Sequence, residues 1–200
     1  MILRSLISSF STLIYTVFKE LGYVQSIFTS LRSTLPAYKL FYVTVSDLRT
    51  TEQKLIFSIG HSNRSLDELV RILKGREIGA LVDIRSYPRS KRNPGVNREK
   101  LEALLPGLGI GYLWIKELGG MRRGGYEGYM DSQEFTEGIS QLLEIARTKS
   151  CAFMCAELKW RECHRSFVAE RLFRDGWDVV HIYDETEAER HAGMIGMRET

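Results

Sequence analysis

Between Leu55 and Ile182, short apolar runs alternate with segments whose apolar residues recur every three or four positions, and few architectures accommodate that alternation. Leu55-Ile-Phe-Ser-Ile-Gly60 reads as a buried strand, and Ser65 to Lys74 follows as a helix with Leu66, Leu69, Val70 and Leu73 on one face. Ala80 to Ile84, Gly111 to Ile115, Ala152 to Ala156 and Asp178 to Ile182 read as further strands. Arg98 to Leu105, Ser132 to Arg147 and Ser166 to Arg174 read as helices between them. Strands that are apolar throughout are covered on both faces, and strand–helix–strand units close by right-handed crossovers. The expected fold is α/β, a three-layer sandwich around a mostly parallel sheet of about five strands.

Residues 1–50 follow a different rule. They hold fourteen Ser or Thr and only two acids, Glu20 and Asp47. Their longest uncharged run, Ser5 to Phe18, is fourteen residues and rich in hydroxyls, whereas a bilayer span needs about 20 mostly apolar residues. Phe18-Lys19-Glu20-Leu21 offers no small-residue cleavage site. We read 1–50 as a weakly structured extension, or as a mis-assigned start with the true one between Val43 and Leu55; 51–185 is the α/β domain and 186–200 a tail.

Splitting the charge at the same boundary removes the case for a basic protein. The net charge is +3, but residues 51–200 carry 23 Lys/Arg against 23 acids, so any cationic patch is local. Three cysteines, Cys151, Cys155 and Cys163, are an odd number clustered in one stretch, which suits a reducing cytoplasm better than a disulfide framework.

Ligands of open parallel sheets bind beyond the carboxyl ends of the strands. Here those ends read Gly60-His61-Ser62-Asn63, Asp83-Ile-Arg85-Ser86, Lys116-Glu117-Leu-Gly-Gly120 and Cys155-Ala-Glu157, each with ionisable groups. His61 titrates near neutrality and is a candidate acid or base; Ser62 is an N-cap or a ligand contact. Asp83 and Arg85, two apart on a strand, share a face, as an anion-gripping guanidinium and its carboxylate partner do; a structural ion pair reads the same way. Arg89, Lys91 and Arg92 beside Tyr87, and Arg122 and Arg123 among glycines near Tyr126, form two cationic loops at one edge.

The densest constellation is Cys155-Ala-Glu157-Leu-Lys-Trp-Arg-Glu-Cys163-His164-Arg165. As a Cys-x5-Arg phosphate cradle it lacks glycines; as a zinc site Cys155, Glu157, Cys163 and His164 lack the usual short paired spacing; as a redox pair the thiols lack Cys-x-x-Cys. The remaining reading puts Cys163, His164 and Arg165 at a helix N-terminus, where backbone N–H groups attract anions.

Taken in order, Ile59-Gly-His-Ser62, Arg64-Ser-Leu66, Leu81-Val-Asp-Ile-Arg85-Ser, Pro88-Arg89, Asn93-Pro94, Glu117-Leu-Gly-Gly120, Cys155-Ala-Glu157 and Cys163-His-Arg165 resemble the family known as domain of unknown function 488. The resemblance spans about Leu55 to Ile182. It implies a small prokaryotic cytosolic α/β protein whose motif residues are His61, Asp83, Arg85, Glu117, Cys155, Glu157, Cys163, His164 and Arg165. The loop Met121 to Tyr129 looks short beside relatives that carry an insertion there.

The expected function is hydrolysis or group transfer on a phosphorylated or nucleotide-like anion. His61, Asp83, Cys155 and Glu157 are the catalytic candidates. Ser62, Arg85, Arg89, Arg92, Glu117, Cys163, His164 and Arg165 are the binding candidates. No cofactor motif is present, zinc at the Cys/His cluster being the alternative, and no membrane partner is expected. Two rivals are a nucleic-acid-binding module without turnover, using the cationic loops with Tyr87, Tyr126 and Tyr129, and a Cys/His metal or thiol sensor.

Overall fold

The computed structural model describes residues 54–193; the reading of 1–50 as an extension lies outside them. Six strands form one sheet in the order β3-β2-β4-β1-β5-β6: β1 (Leu55–Gly60), β2 (Ala80–Asp83), β3 (Gly111–Trp114), β4 (Cys151–Cys155), β5 (Asp178–Ile182) and β6 (Ala188–Arg190). All neighbours pair in parallel except β5 with β6. The expected α/β sandwich is the observed one, with one strand more. β6 lies in the stretch read as a tail, too short and too polar to announce itself; its pairing with β5 supplies what its own side chains do not.

The helices are α1 (Leu66–Gly75), α2 (Arg98–Leu104), α3 (Tyr126–Tyr129), α4 (Gln133–Ala146) and α5 (Arg165–Arg174). Ser65 caps α1 by accepting from the Glu68 N–H at 3.2 Å, and Ser132 caps α4 by accepting from the Phe135 N–H at 3.1 Å. Each then buries a stripe: Leu69, Ile72 and Leu73 on α1, Phe135, Ile139 and Leu142 on α4.

Strand alternation divides the core in two. Ile59, Leu81, Ala152 and Met154 pack with Leu69 and Leu73 of α1, Leu101 of α2 and Leu105 just after it. Ile56, Val82, Phe153 and Cys155 pack with Phe135, Leu142, Val168 and Leu172 of α4 and α5. Successive side chains on a strand point to opposite faces, so this division also decides which functional groups can meet.

Candidate functional site

The parallel register brings the ends of β1, β2 and β4 level: Gly60 lies opposite Cys155, and Asp83 opposite Met154. One residue on, the His61 N–H donates to the Cys155 carbonyl at 2.9 Å and the Ile84 N–H to that of Met154. The four polar strand ends of the sequence thus share one edge of the sheet. They do not share one face.

On the α1/α2 face lies a closed ionic network. Asp83, wholly buried, accepts from Arg85 Nε at 2.9 Å, from the Arg85 backbone N–H at 3.0 Å and from the Tyr112 hydroxyl at 2.7 Å. Arg85 Nη2 donates to Asp83 and to the Val96 carbonyl, and Nη1 faces His61 Nε2 at 3.2 Å. His61 Nδ1 lies 2.9 Å from the Ser62 carbonyl, an acceptor only, so Nδ1 carries the proton and Nε2 accepts from Arg85. Burial, with the Arg85 cation beside it, lowers the imidazole to about 4 and keeps it neutral. The phenol of Tyr112 is pushed up by burial and by the Asp83 charge. Proton-transfer capacity and anion grip are therefore largely taken up within the protein: His61, Asp83 and Arg85 brace the strand ends and the loop that follows β2.

On the α4/α5 face lies an open cluster. Cys155, Cys163 and His164 bring Sγ, Sγ and Nδ1 within 4.8 Å of one another, the ring nitrogen 3.7 Å from Cys155 Sγ and 3.6 Å from Cys163 Sγ. His164 Nε2 lies 2.9 Å from the Ile84 carbonyl; that oxygen only accepts, so Nε2 holds the proton and Nδ1 presents a lone pair to both sulfurs. The Cys155 thiol, donating toward the Cys163 sulfur, holds Cys163 well below the ordinary thiol range, with the Arg165 cation adding to the effect, and Cys155 is pushed above it, where burial adds to the rise. Gly120 closes one side: a Cβ there would fall 2.4 Å from His164 Nδ1, so only glycine lets that loop lie against the ring.

Arg165 runs beneath this cluster. Its Nη2 donates to the Glu157 and Leu158 carbonyls and its Nη1 to Ser58 Oγ at 3.2 Å, while buried Nε has no hydrogen-bond partner among the described residues. A Cβ at Gly60 would overlap the Glu157 carbonyl, so glycine is what lets the Cys155–Leu158 turn cross β1. Ser58 continues into a buried chain through His181 Nδ1 at 2.9 Å, then His181 Nε2 to His191 Nδ1 at 3.0 Å, then His191 Nε2 to Glu170 at 3.2 Å. Burial lowers His181 to about 3, with His191 beside it adding to the effect.

The other candidates stand apart from both groups. The Glu157 side chain is exposed; it is its carbonyl that meets Arg165. Arg89 is 77% exposed and paired with Glu99, and Arg92 is exposed. The Glu117 carbonyl accepts from Tyr129 and Arg122, which organises the loop after β3, while its carboxylate lies 3.9 Å from Lys116. Ser62 adopts φ 47°, a left-handed turn, and donates its N–H to the Ala156 carbonyl. Tyr112, Ser58 and the His181–His191 pair escaped the sequence reading because each sits inside an apolar strand or the tail. Arg64, buried and bonded to the Gly60 and Tyr183 carbonyls, lay in a quoted motif without a role.

The family described as Domain of unknown function DUF488 matches residues 65–172, more than half of the 200-residue chain; Asp83, Arg85, Tyr112, Cys155, Cys163, His164 and Arg165 fall within the match, and Ser58, His61, His181 and His191 outside it. The chain belongs to the DUF488 family. Searches of curated proteins and of solved structures returned no match. Family membership in DUF488 thus carries no reaction with it, and function has to be argued from the two faces of the edge. No helix among the described residues is long and apolar enough to cross a membrane.

Proposed function

We propose that this DUF488 protein is a hydrolase or group transferase acting on a phosphorylated or nucleotide-like anion, with its reaction centre at Cys155, Cys163 and His164. The single observation that carries this reading is the unsatisfied chemistry of that cluster. Two thiols and an imidazole lone pair converge above Arg165, whose hydrogen bonds go only to neutral acceptors. A buried guanidinium without a carboxylate favours negative charge nearby, whether a thiolate or a bound anion. Gly120 lies against His164, and the Met121 N–H donates to Ser86 Oγ at 2.8 Å, so the two cationic loops meet beside the cluster. Exposed Lys91, Arg92 and Arg123 on those loops suit attraction of an anionic substrate. His61, Asp83 and Arg85 hold the loop after β2 in place. The three free thiols support a reducing cytoplasm as the setting, and the family resemblance a prokaryotic one.

The test is a thermal-shift screen of the full chain against nucleotides and sugar phosphates, because a ligand that binds only the folded state raises Tm. At least one compound is expected to do so, with a smaller shift in Arg92→Ala/Arg123→Ala. Uniformly unchanged melting across the set would sink the reading.

A second reading, a nucleic-acid-binding module, is favoured by Tyr87 at 72% and Met121 at 74% exposed beside the same cations. Salt-sensitive binding of single-stranded oligonucleotides that persists in His164→Ala would support it over turnover.

A further inference from the structure

We infer that Cys155, Cys163 and His164 form a binding site for one divalent transition-metal ion of the zinc class, with three protein ligands and a fourth position open to water or an anion. The distances carry the inference. A tetrahedral ion holding thiolate sulfur at about 2.3 Å and imidazole nitrogen at about 2.0 Å sets those donors about 3.6 Å apart. The two sulfur–nitrogen separations here are 3.7 and 3.6 Å, and all three donor atoms lie within 4.8 Å. Two edges of the tetrahedron's face thus have the required length; the third, between the sulfurs, is at most 4.8 Å against about 3.8 Å on a tetrahedral ion, a difference that side-chain rotation can close.

The surroundings match what such a site requires. A metal-binding imidazole donates its other ring N–H to a fixed acceptor, which sets its tautomer and aims its lone pair. His164 Nε2 has that acceptor in the Ile84 carbonyl at 2.9 Å, and Nδ1 points to both sulfurs. The three ligands come from two rigid places, the end of β4 and the turn entering α5, and Gly120 presses the ring from the side. Cys-x7-Cys-His conceals this in the sequence, because the strand and the turn, not a short knuckle, bring the donors together.

The fourth position follows from counting donors and charges. Among the described residues only these three offer ligand atoms to one point, and Cys155, Cys163 and His164 all keep some solvent contact. Two thiolates, a neutral imidazole and a divalent ion sum to zero, which leaves the buried Arg165 cation unbalanced. An anionic fourth ligand, hydroxide or a substrate oxygen, balances it. A metal-bound water that ionises near neutral pH is also the nucleophile a hydrolase needs, and that role of the fourth position rests on the proposed hydrolase reading.

The experiment uses the full chain purified without chelator, stripped, and titrated with Co2+ in place of Zn2+. The expected result is about one equivalent bound, with the thiolate-to-cobalt charge-transfer band and visible bands of tetrahedral coordination. Cys155→Ser, Cys163→Ser and His164→Ala each abolish or reshape the spectrum, and Cys151→Ala leaves it intact. No tetrahedral spectrum in the wild-type chain, or an unaltered one in Cys163→Ser, overturns the site. Should a variant fail to fold, the wild type still decides: Zn2+ must slow alkylation of Cys163 by iodoacetamide at least tenfold, and an unslowed rate refutes the site. Azide added to the cobalt protein is expected to shift the visible bands. An unchanged spectrum overturns the open fourth position, and with it the metal-assisted route to hydrolysis, while the three-ligand site stands.

Discussion

Two polar groups occupy the same edge of one sheet and differ in whether their chemistry is already satisfied. On the α1/α2 face, Asp83, Arg85, Tyr112 and His61 answer one another donor for acceptor, and the buried Asp83 carboxylate meets a guanidinium, a phenol and a backbone N–H. On the α4/α5 face, Cys155, Cys163 and His164 turn two sulfurs and a lone pair toward a common point, where the Cys155 thiol hydrogen is shared among more acceptors than it can satisfy. A saturated network resists change and holds its surroundings in place; an unsaturated one binds something. The difference separates the saturated group from the unsaturated one more sharply than the identity of the residues does, since histidine and charge occur in both.

The comparison breaks first at Asp83. Asp83→Ala leaves the buried Arg85 cation without its partner and is expected to cost about 3–5 kcal/mol in urea denaturation. A cost below about 1 kcal/mol would mean the network is not a framework.

Acid tests both faces together. His61 is lowered to about 4 and His181 to about 3, against an unfolded value of about 6.5. The unfolded chain therefore binds more protons below pH 6.5, and stability must fall as pH drops from about 6.5 toward 4. The expected loss is about 2 kcal/mol from each histidine by about pH 5. His61→Gln should flatten its share of the slope in denaturation curves taken across that range; an undiminished slope would place the acid sensitivity elsewhere.

Gly120→Ala probes the opposite face. Its methyl would press on the His164 ring, costing about 1–3 kcal/mol by overpacking. It should disturb Cys163 reactivity while leaving the fluorescence and acid profile of the Tyr112 side unchanged. A variant with wild-type alkylation kinetics would show that His164 does not govern the thiols.

The smallest effect on stability belongs to Cys155→Ser, expected below about 1 kcal/mol because the swap is nearly isosteric at a slightly exposed site. Reactivity is where it shows. With Cys163 held low by the Cys155 thiol and the Arg165 cation, iodoacetamide alkylation of the wild type should stay nearly constant from about pH 8 to 6, whereas an ordinary cysteine slows about tenfold per unit. A wild-type profile that falls like that of an ordinary thiol would remove the thiolate from the cluster.

The architecture was legible in the sequence because it follows from local chemistry. Apolar runs such as Leu55–Gly60 and the capped stripes after Ser65 and Ser132 state strand and helix within a few residues of themselves. Parallel strands then place their carboxyl ends at one edge, which is why His61, Asp83, Arg85, Cys155 and His164 could be named in advance. Short β6, Ala188–Arg190, could not be, since its pairing with β5 is a long-range contact.

Local pattern alone carries these groups to the same edge; which of them meet is set by how the layers fold over one another. Strand alternation sends Asp83 and Cys155 to opposite faces, and the turn into α5 carries Cys163 and His164 back to Cys155 across seven intervening residues. Likewise, a sequence counts the arginines, but whether Arg85 and Arg165 are left free for an anion depends on carbonyls and hydroxyls from Val96, Glu157, Leu158 and Ser58. Donors and acceptors are paired by distance in space, and no linear spacing encodes that distance once the chain has crossed from one layer to another.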